Sequence, residues 1–147
     1  MARVKINFPE TAPLFYNKIP VRITDINYGN HLGNDALLSI IHEARMQMLH
    51  FYGYTELDID GIGLIMADVM IAYKNEAFYG DVLEISIYTD EVTERSFDLL
   101  YKINLLREGR AIDIAHAKTG MICFDYGNRK ISAVNKALKQ ILKPVEN

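Results

Sequence analysis

Two long alternating segments joined by a tight turn limit the folds that this chain can adopt. Apolar side chains recur at every second position through residues 97–105, and small or apolar side chains share one face of residues 111–123. Residues 107–110, between them, read Arg-Glu-Gly-Arg, which is typical of a hairpin turn. Period-two alternation indicates strands that bury one face. The sequence therefore predicts an antiparallel sheet, and the small residues of its second long strand predict that a helix packs closely on it.

One long amphipathic helix precedes these strands. Apolar residues recur at helical spacing from Leu37 to Met48, and Gly53 supplies a C-terminal stop. Asn34 is a favourable N-cap, so we expect the helix to begin there. Its apolar stripe must pack on a large surface, which the predicted sheet provides.

The remaining segments complete an α+β pattern. Residues 19–23 alternate and predict a strand that leads to Asp25, residues 64–73 are almost wholly apolar, and residues 82–89 alternate again. A short basic helix is expected over residues 134–142. The order of one strand, one helix and then four strands joined by short turns predicts an α+β fold with an antiparallel sheet.

Composition and charge exclude several classes of function. The 147 residues are half apolar and suit one domain over residues 1–147. A net charge of −3 provides no basic field for nucleic acid. Cys123 is the only cysteine, so we expect no disulfide, no metal site and an inert buried thiol. No apolar run approaches the roughly 18 residues of a membrane span and no signal peptide is evident, so we expect a cytoplasmic protein without membrane partners.

Two motifs resemble those of a known family. Residues 25–34 read Asp-Ile-Asn-Tyr-Gly-Asn-His-Leu-Gly-Asn, and residues 42–45 read His-Glu-Ala-Arg. This pattern is similar to the Asp-x-Asp, Gly-His-x-Asn-Asn and Glu-Ala-Arg motifs of the hotdog superfamily, specifically the 4-hydroxybenzoyl-CoA thioesterase-like acyl-CoA thioesterases. Residues 73–81 also resemble that family's Tyr-x-x-Pro-Ala-x-x-Gly-Asp turn, with Glu76 in place of proline.

The resemblance implies a hotdog fold and hydrolysis of an acyl-CoA to free acid and CoA. It places the thioester carbonyl near Gly33 and Asn34, where unpaired N–H groups at the helix start would stabilise the oxyanion. The family's catalytic carboxylate is the second acid of Asp-x-Asp, and this sequence has Asn27 there. An amide carries no charge with which to act as base or nucleophile, so Asn27 is expected to position water or the carbonyl.

Other side chains are therefore candidates for the base. Asp25 lies two residues before Asn27, although hydrogen bonding to loop N–H groups is the commoner role for such an aspartate. Glu43 lies on the helix, where other hotdog thioesterases place an acid, or it is a surface carboxylate beside Gln47. His31 titrates near neutral pH when unperturbed and could orient water or the thioester.

Coenzyme A would need cations to bind its phosphates. The candidate cations are Lys74, Arg95, Arg129 and Lys130. We expect no separate cofactor, because CoA is part of the substrate. An acyl-carrier thioester is an alternative substrate. A sheet wrapped on one helix leaves an edge strand, and the resemblance implies a homodimer or homotetramer.

Several alternatives stay open on the sequence alone. Asn27 motivates a non-catalytic hotdog protein that binds an acyl thioester or another small ligand. A hotdog dehydratase or hydratase would need a different motif, and a cystatin-like α+β cone with a steroid-isomerase type of pocket is the alternative fold. Asp68 interrupts an apolar run, and an edge position or a subunit contact would explain it without catalysis.

Overall fold

A six-stranded antiparallel sheet organises the protein, and its computed structural model describes residues 1–144. The strands are β1 (Phe15–Pro20), β2 (Gly63–Tyr73), β3 (Val82–Asp90), β4 (Ser96–Arg107), β5 (Arg110–Asp125) and β6 (Lys130–Ile131), and the helices are α1 (Asn34–Phe51) and α2 (Lys136–Ile141). The main strands lie in the order β1, β3, β4, β5, β2, with the short β6 paired to β5. The predicted α+β hotdog arrangement of one sheet around one long helix is confirmed. The predicted domain extends to residue 147, and residues 145–147 lie outside the described part.

Helix α1 packs against one face of this sheet. Its apolar stripe, including Ile41 and Ala44, is fully buried. The facing side of β5 supplies Ala115 and Ala117, whose small side chains are also fully buried. Each large apolar side chain buried at this contact contributes about 1.5–3 kcal/mol to folding. The helix-facing side of the sheet and α1 therefore form the core.

The segment before α1 differs from its prediction. We expected a strand leading to Asp25, but β1 ends at Pro20 and residues Ile23–Asp25 form a short 3-10 turn. The Asp25 carboxylate accepts the backbone N–H of Arg22, and a local bond of this kind competes with strand pairing. The predicted C-terminal helix is also shorter than expected, because the Asn135 side chain accepts the N–H of Leu138 and caps it there.

Strand β2 lies at one edge of the sheet, and Asp68 bends it. The pairing with β5 shifts register between Met66 and Asp68. The Asp68 carboxylate accepts hydrogen bonds from the Lys118 ammonium at 2.8 Å and from the Gly120 N–H at 3.0 Å. The Lys118 hydrogen bond lowers the pKa of Asp68. A side chain at position 120 would collide with this carboxylate, since a Cβ there would lie 2.4 Å from Oδ1. The predicted edge position of Asp68 is confirmed.

Candidate functional site

Asp25 is buried within the loop that leads to α1, with 5 % of its surface exposed. Its carboxylate accepts the backbone N–H of Arg22 at 2.8 Å and a guanidinium N–H of the same residue at 3.3 Å. Its carbonyl oxygen accepts the N–H of Gly33 at 2.9 Å. Asp25 thus ties the two ends of the loop together. These contacts favour the structural alternative for Asp25 over its use as a base.

Asn27 organises the middle of the same loop. Its Oδ1 accepts the N–H of Gly29 at 2.9 Å and that of His31 at 3.4 Å. Its backbone N–H donates to the carbonyl of His31 at 2.9 Å, and its carbonyl accepts the N–H of Asn30 at 3.0 Å. The amide oxygen therefore serves the loop as an acceptor. A carboxylate oxygen could accept the same N–H groups, so the loop geometry does not itself require an amide.

The His31 ring lies between the loop and the segment that follows β2. Nδ1 lies 3.1 Å from the carbonyl oxygen of Leu32, and Nε2 lies 3.9 Å from a carboxylate oxygen of Glu76. Because a carbonyl oxygen can only accept, Nδ1 carries the proton in this contact. The Leu32 N–H in turn donates to the carbonyl of Ala77 at 2.8 Å. The ring is thereby fixed at Nδ1, and 30 % of the side chain is exposed.

The start of α1 supplies unpaired N–H groups. Asn34 is the first helical residue, and Gly33 holds the N-cap position in an extended conformation without any side-chain cap. Our expectation that Asn34 is the N-cap was wrong by one residue. The Gly33 N–H is already bonded to Asp25, so the free donors begin at Asn34 and continue through Asp35 and Ala36. They carry the partial positive charge of the helix start.

A cavity of about 200 Å³ opens beside this helix start. Its lining residues are His31, Leu32, Asn34, Tyr73, Lys74, Asn75 and Glu76. The Tyr73 hydroxyl donates to the carbonyl of Asn34 at 3.4 Å. Burial and the nearby Asp35 carboxylate raise the pKa of Tyr73, so its hydroxyl remains a donor at neutral pH. The structure thus brings together the predicted His31, Asn34 and Lys74 and adds Tyr73.

Glu43 lies elsewhere on α1. It is exposed, accepts a hydrogen bond from Gln47 at 3.1 Å, and lines a separate cavity of about 360 Å³ between α1 and β1. Nine positions along a helix correspond to roughly 13 Å between Asn34 and Glu43. Within one chain the structure therefore does not bring Glu43 to His31. Its contact with Gln47 matches the alternative of a surface carboxylate.

The predicted CoA-binding cations divide into two groups. Lys74 lies at the cavity beside α1. Arg95, Arg129 and Lys130 lie at the other end of the sheet, where the end of β5 pairs with the start of β2. Eleven residues of strand span about 33 Å, so the two groups are far apart within one chain.

A buried ionic network under α1 was not predicted. Arg45 is 4 % exposed and forms an ion pair with Glu56, while its other guanidinium nitrogen donates to the Tyr101 hydroxyl at 3.1 Å. Tyr101 shares a hydrogen bond of 2.8 Å with Thr119, and His42 contacts Glu56 at 3.2 Å on the outside. Burial raises the pKa of Tyr101, which stays neutral.

A signal for this network was present in the sequence. Burial alone would lower the pKa of Arg45, but its contacts with Tyr101 and Glu56 raise it overall. Arg45 lies four positions after the buried Ile41 and four before Leu49, so it occupies the apolar stripe. An arginine in that stripe indicates a buried partner, although the sequence does not say which one.

Three further observations bear on the predicted chemistry. Cys123 is fully buried, and burial raises the pKa of its thiol to about 11, in agreement with the prediction of an inert core residue. Among residues 1–144, no group of three or more His, Cys, Asp and Glu side chains is arranged to hold a metal ion. No helix in this part of the chain combines the length and apolar character needed to cross a membrane.

Solved structures of similar fold include several thioesterases. A 1,4-dihydroxy-2-naphthoyl-CoA thioesterase from Synechocystis matches with a TM-score of 0.76 and 18 % identity over 87 % of this chain and 94 % of its own. A probable thioesterase from Escherichia coli matches with a TM-score of 0.69 and 23 % identity over 86 % and 95 %. A gentisyl-coenzyme A thioesterase matches with 0.73 and 16 % over 88 % and 100 %. At these identities the similarity shows the fold.

The sequence itself matches a family model. No curated protein gives a significant match to the chain. The model described as "Thioesterase-like superfamily" matches residues 21–142, which include the loop before α1, the whole of α1 and β2 to β5. This range covers most of the chain and both motifs that carry the resemblance. The chain therefore belongs to the thioesterase-like superfamily.

Proposed function

We propose that this protein is an acyl-CoA thioesterase that hydrolyses its substrate to a free acid and CoA without a cofactor of its own. One observation carries the proposal: Asn34, the first residue of α1 with an unpaired N–H group, lines the same cavity as His31 and Tyr73. Such donors favour a developing oxyanion. The naphthoyl-CoA and gentisyl-coenzyme A thioesterases of similar fold support a CoA thioester as the substrate.

The oxyanion would form at the start of α1. Attack of water on the thioester carbonyl carbon places negative charge on its oxygen, and the N–H groups of Asn34 and Asp35 would donate to it. They need no rearrangement, because the helix already aligns them. Loss of one such donor typically costs a factor of about 10²–10³ in kcat. The C–S bond then breaks, and the sulfur leaves as a thiolate that takes up a proton.

His31 is the candidate that would move protons in this reaction. Its Nδ1 is held by the Leu32 carbonyl, so Nε2 is the nitrogen that would accept a proton from the attacking water and return it to the leaving thiolate. Glu76, 3.9 Å from Nε2, would stabilise the imidazolium. Asn27 acts indirectly, since its side chain fixes the His31 backbone. Asp25 holds the loop, and Glu43 would take part only from another subunit.

We also propose a homodimer formed through β2. Ile65, Met66, Val69 and Met70 on this edge strand are 37–39 % exposed in one chain, and only the β5 side of β2 is paired within residues 1–144. A long apolar edge favours pairing with another strand. Two-fold pairing of β2 strands would bring the Gly63 end of one copy to the Tyr73 end of the other. Arg129 and Lys130 would then approach the site of the partner subunit, and further pairing of dimers would give a homotetramer.

Asn27 favours a second candidate function, the binding of an acyl thioester or a related ligand without hydrolysis. Asn27 lacks the charge of the family's catalytic carboxylate, and Oδ1 is committed to the Gly29 and His31 N–H groups. The two functions differ in one measurable respect. A hydrolase releases free thiol from acyl-CoA, whereas a binding protein retains the intact thioester.

The test is an assay of thiol release from short, medium, long and aromatic acyl-CoAs, with an acyl-carrier thioester alongside. We expect wild-type turnover, a loss of about 10²-fold in His31→Ala, and little loss in Glu43→Ala. Asp25→Ala is expected to lower the yield of folded protein more than the activity of what folds. Asn27→Asp keeps an acceptor for the loop N–H groups and tests whether the family's carboxylate at this position increases turnover.

Two results would contradict the hydrolase proposal. If wild-type protein binds acyl-CoA without releasing thiol and Asn27→Asp acquires turnover, the binding function is the correct one. If His31→Ala retains full turnover while Glu43→Ala loses it, the base lies on the helix. Circular dichroism and size-exclusion chromatography of each variant separate loss of chemistry from loss of fold or of assembly.

A further inference from the structure

The N-terminal strap, residues 1–13, crosses the face of the sheet that lies opposite α1. It contains no regular secondary structure. At one end it joins β1, where the Leu14 N–H donates to the carbonyl of Ile87 on β3 at 2.7 Å. At the other end, residues 1–4 lie against residues 71–74 at the end of β2. The strap therefore spans the sheet from its β1 side to its free edge.

Phe8 fixes the strap to the middle of the sheet. Its ring meets Tyr88 edge-on at 5.4 Å and His116 edge-on at 5.0 Å, and the Lys102 ammonium lies 5.9 Å from the ring centroid. Leu100 pairs with Tyr88 and Lys118 on the same face and is 4 % exposed although it faces away from α1.

The far end of the strap forms a cavity of about 290 Å³ with the end of β2. Arg3 and Lys74 both line it. Tyr73 and Lys74 also line the cavity at the start of α1, so the two cavities share these residues. The cavity at the start of α1 and the strap-side cavity are therefore neighbours at the end of β2.

Two cations, Arg3 and Lys74, line the strap-side cavity. Neither forms an ion pair with a carboxylate within residues 1–144, although the chain as a whole carries a net charge of −3. The nearby acids have other neighbours: Glu76 lies 3.9 Å from His31, Asp113 lies 3.7 Å from His116, and Asp35 lies near Tyr73. Arg3 and Lys74 therefore supply positive charge to this cavity without a carboxylate partner of their own.

We infer that Arg3 of the strap and Lys74 bind the phosphate of a phosphopantetheine thioester whose carbonyl lies at the start of α1. This inference rests on the proposed thioesterase function and identifies the element that would recognise the non-reacting part of the substrate. The phosphopantetheine arm is an extended chain that requires a long groove leading away from the reacting carbonyl. A phosphate at its end accepts charge-assisted hydrogen bonds from guanidinium and ammonium groups. The shared chemistry is the phosphate, which either CoA or a carrier protein would present.

The experiment compares thioesters of one acyl group on CoA, on 4′-phosphopantetheine and on pantetheine, which lacks phosphate. The variants are Arg3→Gln, Lys74→Gln and the double substitution, with Lys139→Gln on the exposed side of α2 as the matched control. We expect each single variant to raise KM several-fold and the double variant to raise it at least tenfold for the phosphorylated substrates. The pantetheine thioester should show no such rise, and the control should resemble wild type with all three. Phe8→Ala, which frees the strap, should raise KM in the same substrate-dependent way.

The outcomes separate the two sources and the two proposals. A rise with both phosphorylated substrates supports the inference, because the phosphate that they share is the one that CoA and carrier proteins present. A rise with CoA alone would overturn it, because Arg3 and Lys74 would then contact the nucleotide phosphates instead. An equal rise with pantetheine, or no rise at all, would overturn the inference while leaving the thioesterase proposal intact. If the wild type hydrolyses none of the three, the proposed function fails instead. Calorimetric titration with CoA then tests the phosphate site by itself. If Arg3 and Lys74 bind the phosphate, the double variant must bind CoA more weakly than Lys139→Gln does.

Discussion

The two halves of α1 use polar residues in opposite ways. At the first turn, Asn34 and Asp35 are exposed and the backbone N–H groups have no partners. About three turns later, Arg45 is buried, and its guanidinium pairs with the Glu56 carboxylate and donates to the Tyr101 hydroxyl. Both halves carry motifs that resemble the same family. The difference shows that a shared motif can combine a segment that meets the substrate with a segment that holds the helix in place.

Solvent access decides which role each half can have. An unpaired N–H group is tolerated at the first turn because water can reach it until a substrate replaces the water. An unpaired guanidinium in the core would cost several kcal/mol, so Arg45 must be satisfied within the protein. Glu56 arrives from the loop after α1, and Tyr101 arrives from β4. Arg45 thus anchors the helix to two other elements. Because the helix is held in place, the free N–H groups of its first turn are held in place as well.

The largest effect is expected from Arg45→Met. Methionine fits an apolar stripe but leaves the Glu56 carboxylate with only the exposed His42, and the Tyr101 hydroxyl with only Thr119. Loss of one member of a buried pair costs 3–5 kcal/mol, and we expect about 3 kcal/mol here because Glu56 is partly exposed. Urea denaturation followed by circular dichroism measures the change. Thiol release per folded molecule should fall much less than stability. A large loss of activity at unchanged stability would mean that Arg45 acts in the reaction and does not anchor the helix.

The sequence predicted the two long strands and α1 because their signals are local. Alternation through residues 97–105 and helical spacing from Leu37 each depend on neighbours a few positions away. The Arg45 network could not be predicted in the same way, since its partners lie 11 and 56 positions away in the chain. The strap was missed for a similar reason, because Phe8 has no periodic neighbours and its partners lie on three different strands.

The site was predicted in part. His31, Asn34 and Lys74 meet at one cavity, but Glu43 and the cations near Lys130 lie elsewhere in the chain. Motif spacing identified which residues belong to the loop, whereas the side on which each helical residue lies depends on packing. The role of Asp25 was open in the sequence, and its contacts with Arg22 require the 3-10 turn, which Pro20 and the local hydrogen bonds create together.

The next largest effect is expected in the loop that leads to the first turn of α1. Asp25→Ala removes the buried acceptor of the Arg22 N–H, which we expect to destabilise the protein by about 2 kcal/mol. Asp25→Asn keeps one acceptor oxygen and should cost less. The measurement is the free energy of unfolding of both variants beside their thiol release. If Asp25→Asn unfolds like wild type but has lost all turnover, Asp25 is the base and belongs to the reacting groups.

A smaller and purely functional effect is expected from Gly33→Ala. Gly33 has φ −74°, which alanine adopts without strain, so stability should change by less than about 1 kcal/mol. The added Cβ would lie 2.8 Å from Oδ1 of Asp35 and would displace that exposed side chain towards the free N–H groups. We expect kcat to fall about tenfold while the urea midpoint stays within error. A lower midpoint with unchanged kcat would mean that the helix start is structural and that the oxyanion forms elsewhere.

The smallest effect, from His42→Ala, tests the exposed end of the same network that Arg45 anchors. His42 lies 3.2 Å from the Glu56 carboxylate, but its side chain is 55 % exposed, so water replaces most of what the contact provides. Exposed pairs of this kind contribute about 0.2–1 kcal/mol, against the roughly 3 kcal/mol expected for Arg45 on the other side of the same carboxylate. The two variants thus share one partner and differ in burial.

Urea denaturation at low and high salt measures the free energy of unfolding of both variants. The His42 contribution should shrink with salt while that of Arg45 persists, since buried pairs are screened much less. If His42→Ala lowered the free energy of unfolding by 2 kcal/mol or more, the contributions of His42 and Arg45 would not differ according to their burial. Such a result would also remove the reason for assigning the two halves of α1 to different roles.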